Sequence, residues 1–258
     1  MFKSMRFILP ALLAIVASLA LDAVARPLSE IKSRGAISMC ANPNALPHAS
    51  NKPDTPGFQV EIGRALAQNM GLQLQVEWII PRMRAATVDC DILFDTIALP
   101  EVQGPRIRLS HAYQKSGVGL GLARGTDGIH GFGDLKPGQR LGVMTNSVAS
   151  VLLGKRGLSI VPYAFEDEMV NDLAKGDLQA AACSPAPVAY YRLMHPEAGL
   201  SFVHAYDDEP ELRWNLAIGM RRADDPLADA VNQALDQLIA DGAIKAIYAK
   251  YGVEYRHP

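Results

Sequence analysis

Charge of one sign, cysteine and aromatic rings are all scarce in this chain of 258 residues. Lysine and arginine number 25 against 27 aspartates and glutamates, and charged residues make up only 20% of the total. A balance this close to neutral provides no basic face for nucleic acid or an anionic membrane. The six histidines stand at 48, 111, 130, 195, 204 and 257, with no pair at the spacing that sets two imidazoles on one metal ion. No Gly-x-Ser-x-Gly or other nucleophile motif occurs, and no internal repeat or low-complexity run is present. Asp207-Asp208-Glu209-Pro210-Glu211 is acidic but has few neighbouring ligands, which reads as a solvated loop rather than a calcium site. No catalytic residue, metal or cofactor is therefore expected.

A long hydrophobic run lies at the very start. Lys3 and Arg6 form a basic head, Phe7–Leu21 an apolar core too short for a confident membrane span, and Ala23-Val24-Ala25 a small-x-small cleavage site. Residues 1–25 read as a signal peptide, with the mature chain starting at Arg26. No cysteine follows the site directly, so export without a lipid anchor or membrane insertion is expected. Loss of Lys3, Arg6 and Asp22 takes the formal charge from −2 to −3. What remains is long enough for one large domain or two modest ones, and a 49% apolar composition supports a sizeable core.

The stretch from Cys40 to Gly71 organises the rest. Ala36–Cys40 reads as a strand, and Pro43, Pro47, Pro53, Pro56 and Gly57 exclude regular structure from Asn42 until a helix opens near Phe58. Ile62, Ala65, Leu66 and Met70 give that helix one apolar face, Gly71 stops it, and the strand Leu72–Trp78 follows. Pro81–Val88 reads as a short amphipathic piece, followed by Asp89. Strand, loop, helix, strand is a right-handed crossover with parallel strands, whose ligands gather beyond the strands' carboxyl ends. Cys90 leads into the strand Ile92–Phe94, which neighbours the first strand in a sheet of order 2-1-3. Adjacent strands lie about 4.8 Å apart, a spacing a disulfide tolerates. Cys40 and Cys90 are either disulfide-linked or two buried thiols; a link would close a loop worth on the order of 4 kcal/mol. Cys183 is left free and buried.

Leu46-Pro47 in the loop and Gly57-Phe58-x-Val60-x-Ile62 opening the helix resemble the first half of the periplasmic solute-binding proteins of the amino-acid-receptor type, family 3. The form CANPNALP, residues 40–47, resembles a branch associated with quinoprotein alcohol dehydrogenases. Near the end, DGAIKAIYAKYG, residues 241–252, closely resembles the terminal signature of the same receptors. The resemblance covers nearly everything after residue 30. It implies an α/β, two-lobed periplasmic-binding-protein-like fold (type II), each lobe a mainly parallel sheet flanked by helices, joined by two hinge strands. The expected division is residues 26–118 plus 221–258 for lobe 1 and 119–220 for lobe 2. The hinge strands are expected at Ser116–Arg124, where Gly117, Gly119 and Gly121 alternate with apolar residues, and at Trp214–Met220.

The ligand cleft implied by this resemblance lies between the loops Asn42–Gly57, Leu99–Arg108, Thr145–Ser147 and Ser184–Pro187. Receptors of this type tend to read Thr-Pro-Glu-Arg, whose arginine clamps an α-carboxylate, whereas this chain reads Leu99-Pro100-Glu101-Val102. Arg106 or Arg108 either replaces that arginine or lies on the surface. Ser184 or Pro185 stands where an aspartate usually neutralises the ammonium. Thr145, Asn146 and Ser147 match in position a Gly-Thr-Thr ligand loop, and serve equally well as an ordinary helix cap. Asn44, His48 and Phe58 complete the expected contacts, His48 standing where an aromatic residue is common. With both halves of the zwitterion clamp altered, no standard amino acid is expected to bind.

Two functions remain open at this level. One is a monomeric periplasmic receptor handing a small-molecule solute to an ABC transporter permease. The other is an accessory partner of a quinoprotein (PQQ-dependent) alcohol dehydrogenase. A dehydratase-like enzyme on the same fold is a minor third.

Overall fold

The computed structural model describes residues 27–79, 90–104 and 106–258. The expected signal peptide, the amphipathic piece Pro81–Val88 and Asp89 lie outside the described residues. In order the chain runs α1 (Leu28–Arg34), β1 (Ala36–Ala41), β2 (Asn44–Ala45), β3 (Ala49–Ser50), α2 (Phe58–Asn69), β4 (Gln73–Trp78), β5 (Ile92–Ile97), β6 (Ile107–Gly117) and β7 (Gly119–Leu122). It continues through β8 (Arg140–Met144), α3 (Val148–Lys155), β9 (Ser159–Tyr163), α4 (Glu166–Lys175), β10 (Ala180–Cys183), α5 (Pro185–Met194) and β11 (Ser201–Val203). β12 (Arg213–Arg221), α6 (Asp225–Ala240) and α7 (Ala243–Lys250) complete it.

Two five-stranded sheets form, of order β4-β1-β5-β12-β6 and β11-β7-β10-β8-β9. In the first, β4, β1 and β5 are parallel and β12 runs against its neighbours; in the second, β10, β8 and β9 are parallel and β7 runs against β10. This is a two-lobed α/β architecture of the periplasmic-binding-protein kind. Its helices follow from local signals. Asp224 caps α6 by accepting from the Leu227 N–H at 2.9 Å, and Leu227, Val231, Leu235 and Leu238 form a stripe packed onto Ile62 and Leu66 of α2. α4 carries Glu166, Asp167 and Glu168 in its first turn and Lys175 in its last, which suits the helix dipole, and stops at Gly176, where φ is 83°. The second lobe packs Leu141, Val143 and Leu153 on one side of its sheet and Met169, Leu173 and Val188 on the other. Each of these fully buried side chains contributes about 1.5–3 kcal/mol.

The chain leaves the first sheet along β6 and returns along β12. At the crossing Gly117 pairs with Arg213, and the Val118 N–H donates to the Leu212 carbonyl at 2.9 Å. Side chains do not fit here. A Cβ on Gly117 would lie 2.3 Å from the Leu212 oxygen, and one on Gly119 2.5 Å from the Val203 oxygen. The alternating glycines are thus places where two chain segments approach closely.

Four features differ from expectation. The expected lobe 2, 119–220, includes Trp214–Met220, yet β12 is hydrogen-bonded along its length into the first sheet, between β5 and β6. The expected hinge strand Ser116–Arg124 is broken at Val118 into β6 and β7. The loop after β1 contains a small antiparallel hairpin, β2 with β3, where prolines had argued against any regular structure. The acidic run is not merely solvated, since Asp207 pairs with Arg256 and Lys115, and Glu209 with Arg156.

Cys40 and Cys90 are disulfide-linked, their Cα atoms 5.5 Å apart. Cys183 is free and buried, and burial pushes its thiol pKa up.

Candidate functional site

The site lies where the two lobes face each other. An open cleft of about 590 Å³ is lined from the first lobe by the β2–β3 hairpin, including Asn44, Leu46 and His48, and by Lys52 just after it. From the second lobe come Met144, the start of α4 (Phe165, Glu166, Asp167) and a face of α5 made by Pro187, Tyr190 and Tyr191. That i, i+3, i+4 spacing puts the three α5 residues side by side. Beneath it, a smaller cavity of about 120 Å³ is bounded by His48, Phe58, Asp95, Gln114, Ser184, Trp214 and Tyr248, among others. His48 borders both.

The first-lobe wall is built around Asp95. Opposite Ile218, the registers of β5 and β12 slip, so that Phe94 and Asp95 together face one residue, and Asp95 adopts a φ of 54°. On the other side of β12, Tyr113 of β6 is likewise an extra residue, between the partners of Ala217 and Leu216. Bulges re-aim side chains, and these two bring Asp95 and Tyr113 together across β12. The Tyr113 hydroxyl donates to Asp95 Oδ1 and accepts from the Asp95 N–H at 3.1 Å. Gln59 Nε2 donates to Asp95 Oδ2 at 2.6 Å, and His48 Nδ1 lies 3.0 Å from the same oxygen. Phe58 packs against the imidazole with its ring tilted by 57°, centroids 4.8 Å apart, and Tyr248 lies beyond it at 4.7 Å.

Electrostatics follow from this packing. Burial lowers the pKa of His48, but the Asp95 hydrogen bond and charge, with the Glu166 charge across the cleft, outweigh it and leave the pKa raised. Burial raises that of Asp95, while His48, Tyr113 and Gln59 together leave it lowered. Both shifts favour an ion pair in the cleft wall.

The second-lobe wall centres on Glu166. Its carboxylate accepts from the Ser184 N–H at 3.3 Å and the Ser184 hydroxyl at 3.2 Å, and so joins the start of α4 to the N-cap of α5. Pro185 and Pro187 open α5, as their fixed φ suits a first turn.

Of the expected site residues, Asn44, His48, Phe58 and Ser184 meet at these two cavities. Thr145, Asn146 and Ser147 do not line either of them. Thr145 is bonded to the Tyr163 carbonyl through both N–H and hydroxyl, and Ser147 caps α3 by accepting from the Ser150 N–H at 3.1 Å. Arg106 is exposed away from both cavities, its carbonyl accepting from the Arg222 N–H, and Arg108 pairs with Asp225. Among the described residues lining the two cavities there is no arginine. Sequence reasoning passed over Asp95, Gln59, Tyr113, Glu166, Tyr190 and Tyr191. One signal was available: a lone carboxylate, Asp95, inside the apolar run Ile92–Ile97.

Two sheets, two crossings and a cleft between them define a two-lobed solute-binding fold. Residues 37–254 match the family of bacterial extracellular solute-binding proteins, family 3, and the chain belongs to it. It is 25% identical over 214 residues to the lysine/arginine/ornithine-binding periplasmic protein of Escherichia coli strain K12, covering 78% of this chain and 80% of that one. Among solved structures it is similar to an ancestral cationic amino acid solute binding protein, with a TM-score of 0.71, 22% identity, and 87% and 98% of the two chains covered. It is also similar to an amino acid ABC transporter substrate-binding protein from Streptococcus pneumoniae bound to L-arginine, at a TM-score of 0.68 and 17% identity, with 87% and 97% covered. These relatives are binding proteins, not enzymes. No helix of the described residues is long and apolar enough to cross a membrane.

Proposed function

We propose that this protein is a periplasmic receptor that captures a small solute other than a standard α-amino acid and presents it to an ABC-type transporter. A solute touching both lobes stabilises the closed arrangement, and the closed shape is what a permease reads. One observation carries the ligand class: the cleft has carboxylates, Asp95 and Glu166, on its two walls and no arginine among its described lining, with Arg108 committed to Asp225. A ligand carboxylate would meet the Glu166 charge on the second-lobe wall, a first-lobe carboxylate already paired with His48, and no bidentate partner.

A thermal scan against the twenty amino acids tests this. A ligand at a hundred times its Kd adds about 2.7 kcal/mol and raises Tm visibly, and no such rise is expected. A clear shift with any of them overturns the exclusion. The receptor reading itself is tested by native mass spectrometry and solution scattering on protein from periplasmic extract, where a bound small molecule and compaction are expected. Recovery of a quinoprotein dehydrogenase subunit instead, with neither bound solute nor compaction, favours the accessory role suggested by residues 40–47.

A further inference from the structure

We infer that the cleft selects a small organic ammonium ion bearing no carboxylate, held by Glu166 and by the rings of Phe165, Tyr190 and Tyr191. This rests on the receptor reading above and names its ligand class.

Charge comes first. Asp95 already has His48 as its ion-pair partner, so the first-lobe wall is close to neutral. Among the described residues Glu166 receives the N–H and hydroxyl of Ser184 alone, neutral donors, and Asp167 adds a second carboxylate one residue on. Lys52, the cleft's one lysine among its described lining residues, is on the opposite, first-lobe side and exposed to solvent, where its field is screened. The one basic side chain on the second-lobe side, His195, faces Glu197 at 3.4 Å, so Glu166 and Asp167 are left without an ion-pair partner among the described lining residues.

The rings supply the second half. Tyr190 and Tyr191 lie on the cleft face of α5, and Phe165, immediately before Glu166, is 57% exposed at its edge. An uncovered phenylalanine next to a carboxylate suits a ligand that is both cationic and partly apolar, since ring faces attract ammonium groups. Carboxylate-bearing versions of the same ligand gain nothing and are repelled by Glu166 and Asp167.

Calorimetric titration with matched pairs isolates the point: putrescine against ornithine, cadaverine against lysine, choline against glycine betaine. In at least one pair the member without a carboxylate is expected to bind, at least tenfold more tightly than its partner and more weakly as salt is raised. E166Q is expected to reduce that affinity about ten- to a hundredfold, as loss of a charged hydrogen-bond partner does. F165A, a change at an exposed side chain, keeps the test open should E166Q misfold, and is expected to weaken binding several-fold. Tighter binding of a carboxylated member, or of a different solute found by native mass spectrometry with no response to any ammonium probe, overturns this inference and leaves the receptor standing. Absence of any bound solute together with capture of a dehydrogenase subunit overturns both.

Discussion

Asp95 illustrates how much one side chain can organise. Its two oxygens serve Tyr113, Gln59 and His48, so Asp95→Ala leaves three donors without an acceptor in a largely enclosed wall. The expected cost is about 3 kcal/mol, read as a lower urea midpoint with an unchanged slope. His48 carries the pH dependence. Its folded pKa is raised above 6.5, so the stability it adds is fully present below that value and is lost as pH rises through the raised one. The advantage of wild type over His48→Gln should therefore be larger at about pH 5.5 than at about pH 8.5. Equal differences at the two values would show that the imidazole contributes only packing against Phe58.

At the scale of elements, the crossing strands set what the lobes can do. Gly117 and Gly119 permit β6 and β7 to pass within contact of the returning chain at Leu212 and Val203. Gly117→Ala must push back a backbone oxygen, not a flexible side-chain end, and is expected to cost about 1–3 kcal/mol. Alanine at Gly133, where an added Cβ meets nothing within 4 Å, is the matched control and should leave Tm nearly unchanged. Similar losses at both positions would remove the close-approach explanation.

Across the whole molecule, two long-range ties hold parts of the chain that local structure does not. One is the Cys40–Cys90 link, which spans 50 residues and joins β1 to the approach of β5. Reduction is expected to lower stability by up to about 4 kcal/mol, and Cys183 should react with alkylating reagent only after unfolding. The other is the tail after α7. Its Arg256 carbonyl accepts from the Lys115 N–H at 2.8 Å in the first lobe, while its guanidinium grips Asp207 of the second through two nitrogens, at 3.2 and 2.8 Å. The Arg256 hydrogen bond outweighs burial and, with Lys115, holds the Asp207 pKa down to about 2. Stability from this group is present above its usual carboxylate pKa and lost as pH falls through about 2. Arg256→Gln should therefore start acid unfolding at a higher pH and raise amide exchange around Val118 and Leu212. An unchanged acid limb would mean that the tail merely rests on the hinge.

By itself the sequence determined the pieces whose causes lie within a few residues: the one-sided helices α2 and α6, the acidic start and glycine stop of α4, the proline-led start of α5, and the family resemblance of the terminal helix. The proximity of Cys40 and Cys90 was also legible, because a 2-1-3 strand order makes their strands neighbours, while the choice between a link and two thiols was made only by the structure. Other features were decided only in the tertiary structure. β12 joined the first sheet because its backbone partners, β5 and β6, are far earlier in the chain, and no local pattern encodes that choice. Asp95 and Tyr113 meet because two bulges flank β12, and Glu166 reaches Ser184 because β10 delivers the start of α5 beside that of α4. Periodicity and capping report on forces between near neighbours, whereas the cleft is a product of side chains from residues 42 to 195, brought together only when both sheets have formed and the chain has crossed between them twice.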